Sequence, residues 1–134
     1  MNPAIEITQA DASKALIAGT KVSLLCVSGL GVYLFSPDSI EEVLLLLSAP
    51  FSLHTISLYL LLRKPGNTAV LWAIVVATSG TVAMALLLPV FILDWAMGNN
   101  PLTPILGLIY AACQVWTIYR GIQWKKAAGS SSPQ

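Results

Sequence analysis

The chain has 134 residues, 56% hydrophobic and only 10% charged, with a mean hydropathy of +0.76. Soluble domains carry about 25% charged residues, so this composition excludes a water-soluble globular domain and points to one compact integral membrane protein. The formal net charge of +1 hides a strong asymmetry along the chain, and no Lys/Arg cluster interleaved with aromatics suggests a nucleic-acid partner.

Residues 1–14 (MNPAIEITQADASK) read as a short cytoplasmic tail or an interfacial turn of helix, with Asp11 or Ser13 placed to cap the helix that follows. The first span is expected over 15–35. Glu6, Asp11 and Lys21 interrupt what would have to be the charge-free core of a cleavable signal, so this span is expected to stay in the mature protein. Gly19, Ser23 and Cys26 gather on one side as a small-residue face that admits another backbone closely. Lys21 and Ser28 lie opposite. Lys21 is six residues into the span, about 9 Å along the axis, so its stem can return the ammonium to the headgroups.

Residues 36–42 (SPDSIEE) form an acidic turn, with Ser39 as a cap and Glu41 and Glu42 in the first turn of the next helix, where the dipole favours negative charge. The second span, 43–62 (VLLLLSAPFSLHTISLYLLL), has no formal charge and contains the chain's single histidine. At about 1.5 Å per residue it covers roughly 30 Å, the thickness of a hydrocarbon core. Pro50, His54 and Ser57 share one helical stripe, which must face protein or water rather than lipid. Arg63, Lys64, Pro65, Gly66 and Asn67 make a stop and a tight turn.

The third span, 69–93, is long, with Pro89 near its far end. Ala73, Ala77, Thr81 and Ala85 recur every four residues as a small-residue ridge, with Gly80 and Met84 beside it. Trp95 fits an interfacial anchor, and GNNP (98–101) a turn. The fourth span is expected over 102–122. Gly107, Tyr110, Gln114, Thr117 and Gly121 fall on one face, opposite Ile105, Ile109, Ala112 and Trp116, which are offered to lipid. Arg120, Trp124, Lys125 and Lys126 close it, and residues 125–134 read as a disordered tail.

Four spans put both termini and the RKPGN turn on one side, and that side holds every positive charge: Lys14, Lys21, Arg63, Lys64, Arg120, Lys125 and Lys126. Under the positive-inside rule both termini are cytoplasmic, and a cell membrane is the expected location. The expected fold is an all-α, four-transmembrane-helix antiparallel bundle over 15–124. Its helices should pack through Gly19, Ser23, Ala73, Ala77, Thr81 and Gly107.

Polar groups inside a membrane are expensive and usually face a bundle interior. His54, Ser57 and Gln114, with Lys21 toward the cytoplasm, could form a site that relays protons or holds a small polar substrate, since an imidazole titrates near neutral pH. The competing reading makes His54 an interhelical tie worth roughly 0.6 kcal/mol. One histidine and the separated Cys26 and Cys113 do not supply a zinc site, a dithiol or a haem pair, so no metal or cofactor is expected. Hydrolase signatures are absent, and no enzyme activity is expected. Small four-helix drug exporters are similar in size and topology, but the acidic residue of their first span is missing here, where Lys21 stands instead. The leading expectation is a non-catalytic subunit or scaffold whose partners are the bilayer and either further copies or other membrane proteins. The alternative is a small oligomeric transporter or channel using His54 and Gln114.

Overall fold

The computed structural model describes residues 3–33, 40–64, 66–98 and 101–131. It is all-helical, with α1 (Pro3–Tyr33), α2 (Ile40–Arg63), α3 (Asn67–Ala96) and α4 (Leu102–Ser131). By length and composition, Glu6–Gly31, Asn67–Ala96 and Leu102–Gly129 are apolar enough to cross a membrane. The stretch 47–63 of α2 is shorter.

Neighbouring helices run antiparallel. On α1 and α4, Gly19 meets Thr117 and Cys113, whereas Gly29, further along α1, meets Leu106, earlier on α4. On α3 and α4, Gly121 lies against Val70 and Ile74, whereas Gly107 lies against Met84, Leu88 and Phe91. The start of α1 and the end of α4 therefore share one end of the bundle, where Leu16, Leu61, Ala69, Val70 and Ala73 form a core with Trp124 packed on it. A second core near the other end joins Cys26, Val27, Leu30, Met84, Phe91 and Tyr110. The α1–α4 and α3–α4 interfaces are the most extensive, and the α2–α3 interface is thinner than these and than α1–α2.

Small residues explain why α4 is central. A Cβ on Gly19 would lie 2.8 Å from Thr117 Oγ1, and one on Gly121 would lie 2.6 Å from Ile74 Cγ1. Both are closer than any real Cβ contact, so only glycine lets these helices approach to this depth. Gly107, Tyr110, Gln114, Thr117 and Gly121 are all buried, and Ile105, Ile109, Ala112 and Trp116 are all exposed. The face expected from the sequence is the face that packs.

The α3 ridge is only partly as expected. Ala73 and Ala77 are buried, Thr81 is half-buried and Ala85 is exposed, while Gly80, Met84 and Phe91 complete the inner face. The cause is geometric: a four-residue step overshoots a 3.6-residue turn by about 40°, so a strict four-spaced ridge walks off the interface within three steps.

Both expected tails differ as well. Helix α1 begins at Pro3 rather than near residue 15, so Asp11 and Ser13 lie within a helix instead of capping one. Proline is favoured at a first helical position, nothing in 4–14 breaks the helix, and Ala12 is fully buried. Helix α4 runs to Ser131, through part of the stretch 125–134 read as disordered; Lys125, Lys126, Ala127 and Ala128 are helix formers, and Ala127 is buried. The turn residues Ser36, Pro37, Asp38 and Ser39, together with Pro65, Asn99 and Asn100, lie outside the described residues. Helix α3 ends where Met97 N–H bonds to Leu93 O and Gly98 N–H to Trp95 O. Gly98 has φ +93°, a left-handed conformation that glycine adopts without a Cβ clash.

The outer surface suits lipid. Leu45, Leu86 and Leu25 are 77%, 73% and 71% exposed, and similar side chains cover the outward face of every helix. A soluble monomer tolerates a contiguous apolar patch of only a few hundred Å², so these helices are compatible with a membrane protein and not with water on all sides.

Candidate functional site

Pro50, His54, Ser57 and Leu61 recur on one stripe of α2, and His54, Ser57 and Leu61 are buried while Pro50 is half-buried. His54 is 3% exposed. Its Nε2 lies 2.7 Å from the Tyr110 hydroxyl of α4, and the two rings meet edge to face at 82° with centroids 5.6 Å apart. Tyr110 reaches this position across Gly80 of α3: a Cβ there would sit 2.6 Å from the hydroxyl. Three helices thus converge on one hydrogen bond.

The direction of that bond follows from which arrangement leaves fewer groups unpaired: Tyr110 donating to Nε2 leaves only Nδ1–H, whereas the reverse leaves both the hydroxyl proton and the Nδ1 lone pair. The Tyr110 hydroxyl has no other hydrogen-bond partner among the described residues, and a buried hydroxyl proton without an acceptor is costly. Tyr110 therefore donates to Nε2, and the neutral ring carries its own proton on Nδ1. No described residue hydrogen-bonds to Nδ1.

A second tie lies one turn further along α4. Gln114, 1% exposed, donates from Nε2 to Ser23 Oγ of α1 at 2.6 Å. Ser23 in turn donates to Gly19 O at 2.8 Å. Thr117 donates to Cys113 O within α4, and Thr20 to Leu16 O within α1, in the same manner. These hydroxyls satisfy themselves against the preceding helical turn, as Ser and Thr do in membrane helices.

The four residues grouped from the sequence are therefore not one constellation. His54 bonds to Tyr110, Gln114 bonds to Ser23, and the buried Ser57 hydroxyl bonds to no described residue. Lys21 is exposed on the outer side of α1, opposite Ser23 and Gly19, and is not brought together with His54, Ser57 or Gln114. Tyr110 and Ser23 carry the contacts instead. The sequence placed both on packing faces, and the sign of a polar role was there for Tyr110: a buried tyrosine needs a partner for its hydroxyl.

Beside the His54–Tyr110 bond lies a cavity of about 250 Å³ at the thin α2–α3 interface. Small residues create it: Ala49 on α2 faces Ser79, Gly80 and Ala83 on α3. Ala49, Ser79 and Ala83 are exposed and mark its mouth, while Leu30, Met84 and Phe91 form its walls. Among the described residues no charged side chain lines it. Among the described residues no group of three or more His, Cys, Asp or Glu side chains could hold a metal ion.

Comparison with protein-family models, with curated proteins and with solved structures found no match for this chain.

Proposed function

We propose that this chain is a four-span integral membrane protein of the cell membrane, with both termini cytoplasmic, that serves as a non-catalytic subunit or scaffold of a membrane assembly. The pairing of its interior polar groups carries this reading. His54 with Tyr110 and Gln114 with Ser23 each form one hydrogen bond across helices, which is what interhelical ties do. A translocation path would instead need polar groups in line across the bundle.

In this reading α2 crosses the bilayer as well. Its 24 residues span about 36 Å, with Glu41 and Glu42 in the first turn and Arg63 in the last. Lys14, Arg63, Lys64, Arg120, Lys125 and Lys126 all fall at the bundle end shared by the start of α1 and the end of α4, and the positive-inside rule puts that end in the cytoplasm. Lys21 snorkels toward the same side along the outer face of α1.

The test pairs isolation with function. The chain extracted in mild detergent is expected in fixed stoichiometry with other membrane proteins, and vesicles containing the chain alone are expected to show no proton or solute flux. Flux through the chain alone, lost on His54→Ala, would replace this reading with that of a small transporter.

A further inference from the structure

The cavity at the α2–α3 interface is not explained by ties between helices. A hydrogen-bonding side chain lines it: His54, itself 3% exposed, whose Nδ1–H has no acceptor among the described residues. A donor left without an acceptor against an apolar lining is unfavourable. A ligand that supplies the acceptor recovers that cost.

The lining specifies the ligand's chemistry. With no charged side chain around the cavity among the described residues, a charged headgroup would be buried unpaired, which is prohibitive. His54 is near the middle of the charge-free run 43–62, so the acceptor must sit deep in the hydrocarbon, where a phospholipid head does not go. The remaining walls favour a flat ring: Phe91 and Tyr110 offer aromatic surface and Met84 a thioether, which packs well against ring edges. A volume of about 250 Å³ suits one substituted ring, and the mouth at Ala49, Ser79 and Ala83 leaves an attached chain free to run out between α2 and α3. The Ser79 hydroxyl stands at that mouth as a second polar group.

We propose that this cavity binds an uncharged, lipid-soluble ring carbonyl compound of the quinone type, with one carbonyl accepting the Nδ1–H of His54. Only binding is assigned; no electron or proton transfer is part of it. The proposal rests on the membrane placement argued above but not on the subunit role, because the purified chain should bind without any partner.

The chain's single histidine makes the test direct, since only its own Nδ1 and Nε2 signals have to be told apart. The full chain, labelled at histidine nitrogen, is placed in lipid nanodiscs and titrated with a decyl-substituted para-benzoquinone. Binding predicts a saturable shift of Nδ1 while Nε2, held by Tyr110, stays nearly still. Ala83→Phe, which fills the mouth without touching the His54–Tyr110 bond, should abolish the shift; should that variant lose its native Nε2 signal, Ala49→Leu closes the mouth from the α2 side. An Nδ1 signal that does not move, one that drifts in proportion to quinone without saturating, or a saturable shift that survives in a folded mouth-filled variant would each overturn the proposal. Failure here leaves the co-isolation and flux results of the subunit reading standing.

Discussion

The Tyr110 hydroxyl lies 2.6 Å from the position that a Cβ on Gly80 would occupy, so Tyr110 can reach His54 only because residue 80 has no side chain. Sequence spacing alone makes Gly80 one more small residue on α3. The structure makes it the gap through which α4 bonds to α2.

Gly80→Ala should therefore act on a hydrogen bond that the glycine does not make. The added methyl group displaces the Tyr110 hydroxyl, and overpacking of this kind costs about 1–3 kcal/mol. Unfolding of the variant in detergent micelles or nanodiscs should show that loss, together with a changed His54 nitrogen spectrum. A native spectrum in a stable variant would mean that Tyr110 does not pass over Gly80.

Gln114 and Ser23 should be coupled. A double-mutant cycle with Gln114→Leu and Ser23→Ala is expected to return a coupling of about 0.6 kcal/mol, and up to about 1.7 kcal/mol if this pair is at the strong end of membrane hydrogen bonds. The same cycle between Gln114 and His54 should return a smaller value, because no hydrogen bond joins them among the described residues.

Ser57 offers the contrasting case. It is 1% exposed and its hydroxyl has no hydrogen-bond partner among the described residues, so Ser57→Ala removes an unsatisfied group rather than a contact. The substitution should leave stability unchanged or raise it by up to about 1 kcal/mol. A clear loss on unfolding would show that the hydroxyl is satisfied in the membrane by a group other than the described residues.

Lys21→Leu should neither unfold the protein nor alter the His54 spectrum, because Lys21 is exposed and faces away from the bundle core. The measurement that separates a snorkelling lysine from an interior one is its reaction with a water-soluble amine reagent applied from each side of sealed vesicles. Labelling from the cytoplasmic side alone fits the orientation proposed here.

Much of the fold was legible because helical periodicity in a membrane leaves few choices. The buried face of α4 and the inward stripe of α2 follow directly from where polar and small residues recur in the sequence. The Ala73-to-Ala85 ridge was half right, since four-residue spacing and the helical turn part company over distance. Pairings between helices were beyond reach: that His54 meets Tyr110 rather than Gln114 depends on Gly80 and on the relative depth of three helices, which no single span encodes. The cavity was hidden for a related reason. Ala49, Ser79 and Ala83 are unremarkable small residues until α2 and α3 are set side by side. Both helices run further than their apolar spans: the mixed polar and apolar stretch 3–14 and the polar stretch after residue 124 carry no span signal, yet both continue a helix, and Ala12 and Ala127 are buried.

The central claim, that the interior polar groups hold the bundle together and the chain works as a subunit, is tested most directly by native mass spectrometry of the chain released from its own membrane in mild detergent. The account predicts a mass corresponding to this chain bound in fixed stoichiometry to other membrane proteins. The chain appearing only by itself or with copies of itself, and carrying a flux in vesicles that His54→Ala abolishes, would contradict it.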